Sequence, residues 1–185
     1  MSFHFNSHAF SFECLFFSCE QNLEITPAAE QKFIACAKTN KSVPSSQGKI
    51  LPWYCIFEIK GESIDVATVY PEEEFVEITV DNWKEKIWEP LVDKITTTYA
   101  KNACMAVVEV LYTNAEGNVR SEPVFFKWCP DTGVPVRAKM LIGSSFQSAK
   151  KKLDVQGTTP EISQRSQLDL NTFAEIAKLK GFVSA

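Results

Sequence analysis

Two apolar runs, ACMAVVEVLY at residues 103–112 and PVFFKWC at 123–129, constrain this chain more than any other part of it. Each is too short for a helix that could bury so many side chains, and both are rich in β-branched and aromatic residues, so they read as strands. The segment between them, TNAEGNVRSE, supplies Gly117 and Asn118 for a tight turn, which makes the pair a hairpin. A strand with one solvated face alternates apolar and polar residues, and these barely alternate. Both faces of their sheet must therefore be covered, and the remaining chain must supply helices to do it.

Those helices can be found. Thr26-Pro27 with Glu30 behind it is a helix start, Thr as N-cap and Pro at the first helical position, and the helix should run to about Lys38. A second begins near Asp81 and places Trp83, Ile87, Trp88, Leu91 and Ile95 on one stripe, with Pro90 expected to bend it before it ends near Tyr99. A last helix spans 170–180 and is closed by Gly181. Residues 53–59 and 63–70 form another hairpin about Lys60, Gly61 and Glu62. Residues 39–49 read as a loop, 71–74 as an acidic turn, and 159–164 as a capped turn or short helix after Pro160. The sum is one domain of the α/β (α+β-like) class: a central mixed sheet of five to six strands with helices on both faces. A chain of 185 residues is long enough for one well-buried core.

Residues 134–153, VPVRAKMLIGSSFQSAKKKL, are the long basic segment of a chain whose net charge is −4. Arg137, Lys139, Lys150, Lys151 and Lys152 fall here with no acid among them. Pro135 suits a first helical turn, and Val136, Met140 and Leu141 recur at helical spacing. Gly143, Ser144 and Ser145 should interrupt the helix and leave a second short piece over 146–153. From the residues alone this is either a solvated charged face or a docking element, and Met140 is either core or contact.

Chemistry finds little footing. From Leu23 onward the chain has no histidine, so histidine-dependent catalysis has no base there, and no glycine-rich phosphate loop follows a strand. Cys55 or Cys129 as a nucleophile is the one enzymatic alternative. The acidic balance argues against nucleic acid as a partner, since five cations on one helix are no extended basic surface. The six cysteines, scattered without Cys-x-x-Cys pairs, suit buried thiols in a reducing compartment, the cytoplasm by default. Residues 1–22 carry Phe3, Phe5, Phe10, Phe12, Phe16 and Phe17 but no Lys or Arg, which fits neither a secretory signal nor a membrane span. They read as an extension ahead of a domain at 23–185. Its His4, His8, Cys14 and Cys19 fit no structural zinc spacing, so neither a metal nor another cofactor is expected.

The run WCPDTGVPVRAKMLIGSSFQSAKKKLDVQGT, residues 128–158, resembles the ADF/cofilin actin-depolymerising family. That family shows W-x-P-(D)-x-x-x-V-[KR]-x-K-M-x-x-x-S-S, a basic helix, and in some members D-V-Q-G-T. The likeness extends more loosely from Leu23 to Lys180. It implies a monomeric, non-enzymatic protein of the cytoplasm and cytoskeleton that binds actin monomers and filaments and promotes depolymerisation and severing. The alternative is a module that mainly sequesters monomers or binds an actin-nucleating assembly. Carried over residue by residue, the resemblance assigns Arg137, Lys139, Met140, Ser144, Ser145, Lys150 and Lys151 to actin. It assigns Lys139, Lys150, Lys151 and Lys152 to phosphoinositide headgroups, and Arg120, Glu122 and Lys178 to a filament-side patch. Three departures accompany it. The regulatory serine of the family's N-terminal tail would fall near Gln21, with Ser18 close but unaligned. Phe146-Gln147 replaces the usual Lys-Asp, so an aromatic ring is either exposed there or buried. Glu122 stands where a cation is usual, which implies weaker filament binding than monomer binding.

Overall fold

The computed structural model describes residues 23–37, 53–71 and 78–181. The expectations for residues 1–22, for the 39–49 loop and for most of the 71–74 turn lie outside these residues, and with them the histidine–cysteine set, Ser18 and Gln21.

The chain builds β1 (Glu24–Ile25), α1 (Pro27–Ala37), β2 (Tyr54–Lys60), β3 (Ser63–Tyr70), α2 (Val80–Trp83), a π-helical turn (Lys84–Trp88) and α3 (Glu89–Thr98). It continues with β4 (Cys104–Thr113), β5 (Val119–Trp128), α4 (Val136–Lys152), β6 (Glu161–Ile162), a 3-10 turn (Arg165–Gln167) and α5 (Leu170–Gly181). The described strands form one six-stranded sheet in the order β1-β3-β2-β4-β5-β6. The inner pairs are antiparallel and the two outer ones, β1 with β3 and β5 with β6, are parallel, so the sheet is mixed as expected.

Both faces of the central hairpin are covered, which is why its strands read as nearly unbroken apolar runs. Cys104, Ala106, Val108 and Val110 of β4, with Val124, Phe126 and Trp128 of β5, face a core completed by α2, α3 and α5. Met105, Val107 and Phe125 face the opposite core, completed by α1 and α4. The helix stripe forecast around the tryptophans is buried throughout: Trp83, Ile87, Trp88, Leu91 and Ile95. Phe173 of α5 packs edge-on against Trp88 and Phe126, centroids 4.8 and 5.1 Å apart. On the other face Phe125 meets Phe33 of α1 edge-on at 5.6 Å and stacks on Phe146 of α4 at 5.0 Å. Pairs at such distances add to what area burial alone contributes.

The start of α1 follows the sequence reading: the Ala29 N–H donates to Thr26 Oγ1 at 3.2 Å, and that hydroxyl donates to Asp65 Oδ1 at 3.0 Å, joining the helix to β3. Just before Pro90, where the sequence predicts a bend, the structure has the π-helical turn. There the Glu89 N–H reaches back five residues to the Lys84 carbonyl, accommodating a residue that has no N–H to continue the ladder.

Two expectations are corrected. Residues 161–162 are a strand, because they find the outer edge of β5 and pair with Lys127 and Trp128 in parallel. The Lys127 N–H donates to the Pro160 carbonyl and Lys127 Nζ meets Glu161 Oε2 at 2.6 Å, both non-local contacts that no local pattern announces. Residues 143–145 do not break α4, which is continuous from Val136 to Lys152. The Ser145 hydroxyl donates to the Leu141 carbonyl at 2.6 Å, and that of Ser144 to Leu141 and Met140 at 3.1 and 3.3 Å. Back-bonding of this kind lets serine sit inside a helix.

Candidate functional site

The face that α4 buries fixes the one it offers. Ile142, Ser145, Phe146 and Ala149 are inside, with Leu153 just past the helix end. The opposite side is a ridge at helical spacing: Val136, Met140, Ser144, Gln147 and Lys151, all exposed. At its N-terminal end two large apolar side chains stand in solvent, Val136 at 73% and Met140 at 72% exposure. Met140 is thus surface and not core. Arg137 is exposed beside them, while Lys139 is half-buried and its ammonium donates to the Asp131 carbonyl.

Ser145 is corrected as a contact residue. It is fully buried and its hydroxyl is spent on the helix's own backbone, so it faces the core while Ser144 faces out. The Phe146 ring is also fully buried, resolving the departure from the usual lysine in favour of the core. Lys127 and Lys150 hold their ammonium groups 5.8 and 5.7 Å from its centroid, within cation–π range. Lys150 is half-buried, whereas Lys151 and Lys152 are exposed. These three lysines occupy the last turn of α4, where the helix dipole favours positive charge.

Arg120, Glu122 and Lys178 form a second group, and the sheet separates it from the first. Arg120 lies opposite Tyr112 in the β4–β5 ladder and Glu122 opposite Val110. Burial pushes the Tyr112 phenol up, Glu122 adds to the shift, and Arg120 and Lys178 oppose it, so all three charges gather about one ring. Lys178 Nζ also meets Glu175 Oε1 at 2.8 Å. Among the described residues, two cations and two carboxylates make this patch electrically balanced, unlike α4. It belongs to the face covered by α5, and α4 covers the other.

The cysteines proposed as nucleophiles are badly placed for it. Cys55 is fully buried, and burial pushes the Cys129 thiol up, whereas a nucleophilic cysteine needs its thiolate favoured. An apolar cleft of about 510 Å³ opens at the β5 edge between Phe33, Phe125, Val155, Ile176 and Leu179, and no α4 residue lines it. Sequence reasoning did not foresee this cleft, since residues from α1, β5, α5 and the loop after α4 meet there only in three dimensions. Among the described residues no helix is long and apolar enough to cross a membrane.

A mixed sheet enclosed by helices, with one long helix presenting an apolar and cationic ridge, defines an actin-depolymerising-factor-type fold. The sequence model of the cofilin/tropomyosin-type actin-binding protein family matches residues 35–179, and the chain belongs to that family. Cofilin of Saccharomyces cerevisiae is 36% identical over 94 residues, covering 46% of this chain and 65% of that protein. Cofilin of Kluyveromyces lactis is 39% identical over 95 residues with the same coverage, so the matches span less than two thirds of either relative's length. Among solved structures, the ADF-like UNC-60A protein of Caenorhabditis elegans superposes with a TM-score of 0.61 at 17% identity, over 83% of this chain and 95% of that one. Human coactosin-like protein does so at 0.57 and 15%, over 88% and 91%. These two show the shared fold.

Proposed function

We propose that this protein binds actin through the outward ridge of α4, and that it holds monomers more effectively than it severs or depolymerises filaments. The observation carrying the reading is the solvent exposure of Val136 and Met140 beside Arg137 on a helix otherwise anchored in the core. Apolar side chains in solvent at helical spacing, flanked by cations, suit helix-in-groove recognition: the apolar ridge enters a cleft and the charges set orientation against an acidic partner. Lys151 and Lys152, with Lys150 and Lys139 beside them, suit phosphoinositide headgroups as a competing ligand. We place the protein in the cytoplasm with the actin cytoskeleton, as a monomer, with residues 23–185 as the binding domain and 1–22 as an extension.

Titration of labelled monomeric actin with the parent and with Arg137→Glu tests the reading. The parent should bind and the variant should bind weakly, with unchanged melting temperature because Arg137 is exposed. Absence of parental binding would overturn it. The second reading, sequestration without severing, draws on the balanced charges around Tyr112 and is separated by co-sedimentation: a sequestering protein leaves actin in the supernatant.

A further inference from the structure

The first turns of α4 carry the contact ridge, yet little in the helix itself holds them. Pro135 offers no side-chain cap, the first turn has no acid, and the first fully buried side chain is Ile142. Besides Val134, buried just ahead of the helix, what ties this end down is a loop residue. Asp131 Oδ2 accepts from Ser163 Oγ at 3.1 Å and from Gln164 Nε2 at 3.2 Å, while the Asp131 main-chain carbonyl accepts from Lys139 Nζ. Ser163 and Gln164 are in turn fixed, for their N–H groups both donate to Gln167 Oε1, at 2.8 and 3.0 Å. Just before them the Ile162 carbonyl accepts from the Cys129 N–H at 2.8 Å. An unbroken series of hydrogen bonds thus runs from the sheet edge through the turn after β6 to Asp131 and on to α4.

We infer that Asp131 is a positioning residue: it clasps the turn after β6 to the entry of α4 and so holds Val136, Arg137 and Met140 in a binding-ready arrangement without touching the partner. The inference rests on the proposed function of that ridge. Its physical content is pre-organisation, since a contact helix already fixed loses less freedom on binding. Both side-chain bonds go to one oxygen, so asparagine can keep them and alanine cannot.

The test uses the full chain, labelled monomeric actin, and the variants D131A, D131N, S163A and D131A/S163A. D131A should weaken binding about three- to tenfold and D131N less than about twofold. The D131A/S163A double variant should be no weaker than D131A alone, because both changes remove the same clasp. S163A alone should weaken binding in the same direction as D131A; an S163A variant that binds like the parent, or losses that add in the double variant, would mean that Asp131 acts on actin independently of the clasp and would overturn the inference. Hydrogen exchange supplies a readout independent of actin: in D131A the amides of Lys139, Met140 and Leu141 should exchange faster while the global melting temperature stays within a few degrees. Unchanged exchange would overturn the clasp whatever the binding result. If the parent fails to bind actin while D131A shows the faster exchange, the proposed function is overturned and the clasp stands.

Discussion

Replacing Met140 with alanine separates contact from core on a single helix. In the folded protein the side chain is 72% exposed, so truncation removes little packing and should change stability by no more than about 0.5 kcal/mol. Seated in an apolar cleft, the same side chain loses its γ-methylene, sulfur and methyl contacts, worth about 2 kcal/mol, or roughly thirtyfold in Kd. Ile142, two residues along, is the internal control. It is 1% exposed in the core beneath α4, and its truncation to alanine should cost about 3 kcal/mol and lower Tm by about 6–12 °C. The assay is thermal melting by circular dichroism together with titration of labelled monomeric actin at fixed salt. Met140→Ala should melt with the parent and bind weakly; Ile142→Ala should melt early. Early melting of Met140→Ala would mean that the outward face of α4 is wrongly assigned. A Met140→Ala variant that is stable and binds like the parent would remove the ridge from the interface.

Phe146→Lys, which restores the residue usual in the family, should destabilise the fold by more than about 3 kcal/mol, seen as a large fall in Tm, because it puts a charge at a fully buried site stacked on Phe125. Hydrogen bonds from the Thr172 N–H and hydroxyl hold the Asp169 carboxyl below the usual carboxylate range. A folded-state pKa lower than the unfolded one stabilises above the unfolded value, about 3.9, and is lost as pH falls through the folded value. Asp169→Ala should therefore lower Tm at pH 7 and have little effect near pH 2. Phosphoinositide vesicles should compete with actin at low salt and progressively less as salt rises; equal binding with and without vesicles at low salt would count against a shared patch. Glu122→Lys should raise co-sedimentation with filaments severalfold and leave monomer affinity nearly unchanged.

The strands and most helices were legible because their signals are local. An apolar run without alternation reports two covered faces, and Thr-Pro reports a helix start, whatever lies elsewhere in the chain. What escaped was set by partners distant in sequence. Glu161 and Ile162 have no strand signature of their own and become a strand only because the β5 edge lies beside them. Serine's poor helix propensity misled at 143–145, where the Leu141 carbonyl takes the hydroxyl and core packing of Ile142, Phe146 and Ala149 outweighs a fraction of a kcal/mol in propensity. The site was legible as a set of residue types in order but not as a surface: only the buried phase of α4 shows that Ser145 and Phe146 turn inward while Val136, Met140 and Ser144 turn outward. Asp131 was visible only as part of a motif, because its role depends on a turn thirty-odd residues later in the chain.

The force of Glu122→Lys comes from where the two charged groups sit. The cations of α4 lie on the helix covering one sheet face, and Arg120, Glu122 and Lys178 lie about Tyr112 on the face covered by α5, so changing one group leaves the other's packing intact. Around Tyr112 the positive charges of Arg120 and Lys178 are offset by Glu122 and Glu175, and a patch without net charge neither steers an acidic partner nor repels it. Exchanging Glu122 for lysine changes the local charge by two units at a half-buried strand position. Exposed charge contacts are each worth up to about 1 kcal/mol, so the gain should be severalfold in filament affinity and should shrink with salt. Monomer binding through the α4 ridge has no term that depends on position 122. If the parent already co-sediments with and severs filaments as well as Glu122→Lys does, the balance of charge at this hairpin does not limit filament binding, and the preference for monomers must be abandoned.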